Sequence, residues 1–204
     1  MTIASSGEQG AKTRFTDQDE GTVPNSNSDV DAAGADTVRF TDAYNDLILI
    51  KDGELSPLLK KTLENYFQDA EKGDASAQLL AGVACLSGVS VPKDAAKAFK
   101  WFGLSARQGH AIAQYHLGKA YAQGVGGPKN AKKGVKWLRL ASEREYPPAQ
   151  LALGQILRDG VDAPQDLAEA KRLFRLAAER GEPMAQFQLS QTLRKESPTP
   201  QNRV

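Results

Sequence analysis

The chain has 204 residues, of which 40% are hydrophobic and 25% charged, with a formal net charge of +1. This is the profile of a soluble globular protein with room for one or two domains, and the total charge gives no argument for nucleic-acid binding. No apolar run approaches the ~20 residues that span a membrane, and the single cysteine, Cys85, excludes an intrachain disulfide and a cysteine metal cage.

The opening residues Met1–Gly10 show no basic segment followed by an apolar one. No secretory signal is read there, and a cytoplasmic location is expected. Residues 1–38 are poor in large apolar side chains and rich in Ser, Thr, Asp, Asn and Gly. Such a segment buries too little apolar surface to offset its ordering entropy, which predicts a disordered acidic tail. Residues 1–56 carry four basic and eleven acidic side chains, a net of −7, against 22 basic and 14 acidic, a net of +8, for residues 57–204. Arg14-Phe15-Thr16-Asp17 recurs as Arg39-Phe40-Thr41-Asp42, either by chance or as a duplicated docking motif.

Residues 39–74 read as a degenerate helix pair. A helix is expected at Asp42–Lys51, around Leu47–Ile50, although four consecutive apolar residues also suit a strand. Ser56 as N-cap and Pro57 in the first turn then open an amphipathic helix. It carries Leu58, Leu59, Leu63, Tyr66, Phe67 and Ala70 and ends at Gly73.

From residue 75 the sequence repeats with a step of 36. Ala-Gln stands at Ala77-Gln78, Ala113-Gln114, Ala149-Gln150 and Ala185-Gln186. Gly82, Gly118, Gly154 and Ser190 share a column, as do Gly88, Gly124 and Gly160, and Pro92, Pro128 and Pro164. Asp94, Asn130 and Asp166 form another column, and Trp101, Trp137 and Leu173 another. Gap-free agreement across many columns marks a helical solenoid. The units are 75–110, 111–146 and 147–182, each a pair of antiparallel helices.

The first helix is expected over about 75–87, 111–123 and 147–159, with Ala77, Ala81 and Cys85, then Ala113, Leu117 and Tyr121, on one face. The glycine at 88, 124 or 160 ends it in an αL turn. Asp94, Asn130 and Asp166 cap the second helix, about 95–108, 131–144 and 167–180. Its inward stripe in the first unit is Ala98, Trp101, Phe102 and Ser105. The small pairs Gly82/Ala98, Gly118/Gly134 and Gly154/Ala170 predict a close helix crossing, since a mid-helix glycine costs about 1 kcal/mol unless close approach offsets it. Trp101, Phe102 and Trp137 are expected to fill the space between units. The Ala-Gln glutamines are expected to bond structurally to a backbone group. Residues 183–195 read as a capping helix with polar exposed columns, Gln188, Gln191 and Lys195, and residues 196–204 as a short tail.

With these columns in place, residues 113–142, AQYHLGKAYAQGVGGPKNAKKGVKWLRLAS, resemble the Sel-one-like repeat (SLR), a relative of the tetratricopeptide repeat. Leu117-Gly118 with Tyr121 also fits the Leu-Gly-x-x-Tyr core of the latter. The likeness covers roughly 57–195 and departs from the pattern at Glu145, where glycine is usual, and at Leu173, where tryptophan is lost. It implies an all-α, right-handed α-solenoid whose groove is lined by the first helices, with adaptor functions and no chemistry. Some secreted members of this family are cysteine-paired and linked to β-lactam binding; this chain lacks both the paired cysteines and a Ser-x-x-Lys constellation.

The residues offer little for catalysis or metal binding. His110 and His116, six apart with no ligand cluster, read as ordinary surface residues, and Cys85 as a small core residue. Gly124–Lys129 follows a helix and lacks the Gly-Lys-Ser/Thr ending of a phosphate loop, so it reads as a turn. No cofactor is expected. Lys100, Lys136 and Arg172, with Arg139 and Arg175 a turn away, form a basic ridge on the convex side, read as a solvated face or a site for an acidic partner.

One set of first-helix columns varies where the framework recurs: Leu80, Val83 and Ser87; Ile112, His116, Lys119 and Gln123; Ala152, Gln155 and Asp159; Gln188 and Gln191. Such a stripe lines the concave face of a solenoid and suits a peptide or helix of another protein. The reading is a non-enzymatic, regulatory, monomeric scaffold or adaptor. The alternative is a secreted effector or nucleic-acid-associated regulator that uses the basic ridge.

Overall fold

The computed structural model describes residues 57–196, which form eight helices and no strand among the described residues. They are α1 (Pro57–Glu71), α2 (Ala75–Ser87), α3 (Ala95–Arg107), α4 (Ala111–Gln123), α5 (Ala131–Glu143), α6 (Pro147–Asp159), α7 (Leu167–Glu179) and α8 (Ala185–Glu196). Each helix packs chiefly on its neighbours in sequence, which makes the array an α-solenoid. The tail at 1–38, the helix expected at 42–51, Ser56 and residues 197–204 lie outside the described residues.

The caps follow from local chemistry. Gly88, Gly124 and Gly160 end α2, α4 and α6 with φ of 83°, 74° and 68°, and each donates its N–H back into the last turn. Asp94 Oδ1, Asn130 Oδ1 and Asp166 Oδ1 accept from the N–H groups of Lys97, Lys133 and Glu169 at 2.9, 3.0 and 2.9 Å. Gly126, at φ 71°, lies so close to the start of α3 that a Cβ there would sit 1.9 Å from the Ala95 carbonyl oxygen. The loop after α4 therefore has room for glycine only.

Within each unit the two helices meet over the glycine column. A Cβ on Gly82 would lie 2.6 Å from the Phe102 ring, one on Gly154 2.7 Å from the Phe174 ring, and one on Gly118 2.9 Å from Leu138. The close contact expected with Ala98 and Ala170 is thus made by the side chain one turn further along the second helix. In the middle unit backbone also meets backbone, since a Cβ on Gly134 would fall 2.9 Å from the Gly118 oxygen.

The deepest position of the second helix is accordingly Phe102, Leu138 and Phe174, which are 2%, 1% and 0% exposed. Trp101 and Trp137 are half-buried and pack against the rim of the core. The expectation that Trp137 lies between units holds, since it packs on a cluster that includes Ala106 of the preceding unit, but Leu138 and not Trp137 occupies the helix crossing. One residue is about 100° of helix rotation, enough to move a side chain from the crossing to its edge. The smaller Leu173 in the same column is fully buried.

Hydrogen bonds stitch unit to unit. Gln78, Gln114 and Gln150 donate through Nε2 to the carbonyls of Ala70, Ala106 and Ser142, at 3.2, 3.2 and 3.5 Å. Each acceptor lies eight residues back, at the end of the preceding second helix. Gln186, the fourth member, is exposed instead. A second tie runs between the columns 108 and 73: Gln108 Nε2 donates to the Gly73 carbonyl at 2.9 Å and to Gln78 Oε1 at 2.8 Å. Arg180 Nη1 reaches the Glu145 carbonyl in the same way at 3.2 Å. With arginine in place of glutamine at 144 and 180, Gln114 Oε1 and Gln150 Oε1 make no hydrogen bond.

The last helix is a correction. Gln188, expected on a polar exposed column, is buried, whereas Met184, Phe187 and Leu193 are 48%, 53% and 43% exposed. α8 repeats a first helix faithfully, so its apolar residues point to where a following unit would pack. The exposed surface of α8 is therefore mixed: Gln186, Ser190, Gln191 and Arg194 are exposed beside Phe187 and Leu193, and of the expected polar columns Gln191 is exposed.

Two stability changes follow. Phe174→Ala should cost about 3–5 kcal/mol, the range for a fully buried aromatic, while Trp137→Ala should cost clearly less; chemical denaturation of the two variants checks the order. Glu145 holds φ 62° in a column where Gly73, Gly109 and Gly181 have φ of 105°, 89° and 83°. A side chain in αL costs roughly 1–2 kcal/mol, only partly offset by the greater unfolded-state entropy of glycine. Glu145→Gly should therefore stabilise by about 0.5–1 kcal/mol and raise Tm by about 2–4 °C, despite loss of the exposed 2.7 Å ion pair with Arg180.

Candidate protein-binding groove

The first helices of the second and third units, α4 and α6, lie side by side and leave a groove of about 410 Å³ between them. Tyr115, Lys119 and Gln123 line one wall, and Leu151, Ala152, Gln155, Ile156 and Asp159 the other. Leu138 of α5, 1% exposed, lies deeper, and Pro148, Asp162 and Glu182 also line the groove. The spacing of four within 115–119–123 and 152–156, and 148–152–155–159 on α6, places these side chains on single helix faces.

The walls are chemically mixed. The Lys119 ammonium lies 5.3 Å from the Tyr115 ring centroid, a cation–π contact that anchors the charge at the groove. Tyr115 meets His116 and Tyr146 edge-on, both at 5.4 Å. On the opposite wall Asp159 receives Arg158 through two bonds of 2.8 and 3.0 Å, and Arg158 also donates to Gln188 Oε1. The groove thus offers a cation, an apolar floor, amide groups and carboxylates within one cleft.

The expected stripe divides along its length. Lys119, Gln123, Ala152, Gln155 and Asp159 come together in the groove. Leu80 and Val83 do not: at 0% and 5% exposure they are core residues of α2, whose positions Ala77 to Cys85 are buried without interruption. Gln188 is buried as well, at 8%. These three are removed from the contact surface, because a position that faces solvent in one unit is covered where the surrounding side chains are larger or closer. Ile112 is half-buried against the core. Ser87 is exposed, its hydroxyl donating to the Val83 carbonyl at 2.8 Å, and Gln191 is exposed on α8.

Sequence reasoning missed Tyr115, Leu151 and Ile156. The signal was available, since Leu79, Tyr115, Leu151 and Phe187 form a column that is always large and apolar. It was hidden because apolar constancy reads as core.

The histidines are also corrected, being half-buried rather than ordinary surface residues. His116 stacks on Phe102 of the preceding unit, with ring centroids 4.8 Å apart and planes 12° from parallel. Burial, with the Lys119 charge, lowers its pKa to about 4. Burial likewise lowers His110 to about 4, with Asp74 opposing the shift and Arg144 adding to it. Cys85 is buried and its thiol pKa is raised by that burial. Among the described residues no group of His, Cys, Asp or Glu side chains could hold a metal ion. No helix among them is long and apolar enough to cross a membrane.

The basic ridge runs along the second helices. Lys100, Lys136, Arg139, Arg172 and Arg175 are all exposed on α3, α5 and α7. Arg172 is taken up by Glu169 at 2.7 and 2.8 Å.

Stacked helix pairs of constant length, joined by glycine turns and lined by one variable stripe, define an α-solenoid of the tetratricopeptide-like class. The Sel1 repeat model matches residues 75–110, 111–146 and 147–182, and the chain belongs to the Sel1 repeat family. Members of this family are generally protein–protein interaction scaffolds, typically without enzymatic activity. Among solved structures, a Sel1 repeat protein from Oxalobacter formigenes is similar at 29% identity, with a TM-score of 0.58, over 64% of this chain and 98% of that one. The protein c5321, a protective antigen of uropathogenic Escherichia coli strains displaying an SLR fold, is 32% identical with a TM-score of 0.56. That match covers 66% of this chain and 33% of the antigen. The cysteine-rich protein B of Helicobacter pylori shares the fold at 22% identity and a TM-score of 0.51, over 63% of this chain and 96% of that one. No curated protein matches the chain.

The histidines give this surface a pH dependence with a definite sign. Their folded-state pKa values of about 4 lie below the unfolded value of 6.5. The unfolded chain therefore binds more protons below about pH 6.5, so their contribution is complete above that pH and is lost as the pH falls towards 4. The urea midpoint should drop between pH 7 and pH 5, and His116→Phe, which keeps the stack on Phe102, should flatten that drop.

Proposed function

We propose that this chain is a non-enzymatic adaptor that holds a peptide or helical segment of another protein in the groove between α4 and α6. The observation that carries the reading is the convergence of Lys119, Gln123, Ala152, Gln155 and Asp159, all from variable columns, on one cleft of about 410 Å³. Framework columns keep the fold constant, and the variable ones are left to discriminate. A partner would place an apolar side chain near Leu138 and Leu151 and satisfy Lys119 and the lining carboxylates with polar groups, in the manner of a segment laid into a helical groove. The reading takes the protein as a monomer acting in a regulatory assembly in the cytoplasm, where a single reduced cysteine such as Cys85 is at home.

The experiment selects binders for the full chain from a displayed library of random linear peptides. Lys119→Glu together with Gln155→Lys should leave the helical circular dichroism unchanged and weaken the selected peptides by about tenfold or more. Lys136→Glu on the ridge should matter much less. Binding abolished by the ridge change and untouched by the groove change would overturn the reading.

A further inference from the structure

The ridge of second helices carries exposed cations. On α5, Lys132, Lys136 and Arg139 occupy positions i, i+4 and i+7, so they share one face, and all three are exposed. α5 has no acidic residue before Glu143. Lys100 on α3 and Arg175 on α7 extend the patch to both neighbouring units, and both are exposed. Among the described residues none of these five is in ion-pair contact with a carboxylate, in contrast to Lys97 with Asp94 and Arg172 with Glu169, although Arg139 lies near enough to help hold the Glu169 pKa down. The patch is therefore a solvated cationic surface that a polyanion could approach.

The chain itself carries one. Residues 15–38 contain Asp17, Asp19, Glu20, Asp29, Asp31 and Asp36 and no lysine or arginine. Geometry permits the contact. The chain enters the described fold at Pro57, the start of α1, which belongs to the same layer of second helices as α3 and α5. Two steps along that layer are about 20 Å at ordinary helix packing distances. The 18 residues from 39 to 56 span up to about 60 Å when extended.

We propose that the acidic segment 15–38 associates with the basic ridge centred on Lys132, Lys136 and Arg139 of the same chain, and so screens that surface from other polyanions. The contact is weak charge by charge, because exposed pairs are largely solvated and screened beyond about 8 Å at physiological salt. Tethering compensates. A segment held near its site at an effective concentration on the order of millimolar needs only comparable intrinsic affinity to occupy it for much of the time. The groove between α4 and α6, with Asp159, Asp162 and Glu182 among its lining residues, is electrostatically the wrong place for the same segment.

The full chain with Ser26→Cys provides the test, since Cys85 is buried and its thiol is held protonated by that burial, leaving the introduced thiol to take a nitroxide label. Paramagnetic broadening of backbone amides should be strongest at Lys100, Lys132, Lys136, Arg139 and Arg175 at low salt. It should spare Ala152 and Gln155 and vanish in about 0.5 M salt, where screening lengths fall to a few ångströms. The triple change Lys132→Glu, Lys136→Glu and Arg139→Glu should abolish it. So should neutralising the six acids to Asn and Gln, which leaves the helical array untouched. Broadening that is absent, centred on the groove, or insensitive to salt and charge would overturn the proposal. So would broadening that persists when only an unlabelled-isotope copy carries the nitroxide, because the contact would then be between chains.

Discussion

Each unit brings its two helices together where the first has no side chain. Gly82 faces Phe102, Gly118 faces Leu138 and Gly154 faces Phe174, all closer than a methyl group would allow. The crossing fixes where the second helix lies, and hence where its C-terminal carbonyls are offered to the glutamine of the next first helix. From that follow the stacking of unit on unit and the distance between α4 and α6, and so the cleft between them. A larger residue at the crossing would force the helices apart, and the displacement would pass into the groove because packed interiors transmit strain.

The sequence made the framework legible because its local chemistry is repeated. Three glycines with the same αL role and three caps of the Asp/Asn type identify their helices individually, and the common step of 36 removes the remaining ambiguity. The surface was less legible. Leu80 and Lys119 belong to the same kind of variable column, yet one is core and the other is at the groove. Periodicity gives a direction, whereas burial depends on what the neighbouring unit places in that direction. Trp137 and Leu138 illustrate the limit: the larger side chain looks like the core residue, but the crossing geometry selects its neighbour. The histidines failed for the same reason, since a stack such as His116 on Phe102 joins residues from different units.

Both layers of the solenoid carry surface chemistry, of different kinds. The first helices display a short stretch of aromatic, amide and charged groups that is unlike itself from unit to unit. The second helices display cations at recurring positions, partly neutralised at Glu169 and exposed at Lys132, Lys136 and Arg139 along α5. A varied surface discriminates by shape and by unmet hydrogen bonds, whereas a uniform charged one attracts broadly and is tuned by salt. One small fold can therefore combine a selective contact with a long-range electrostatic one without placing them in competition for the same residues.

The ties between units span 8, 30 or 35 residues, as in Gln78 to Ala70, Arg158 to Gln188 and Gln108 to Gly73. Nothing in that scheme requires distant parts of the chain to find one another. Folding of such an array is a matter of forming one stable pair and growing outward, with low contact order and correspondingly rapid kinetics. α8, with Phe187 and Leu193 exposed, is the outermost of the described helices on this side. Amide protection should then decline along the chain from the interior units towards Glu196, so that the protein is a graded structure whose last helix opens and closes while α3 to α6 remain folded.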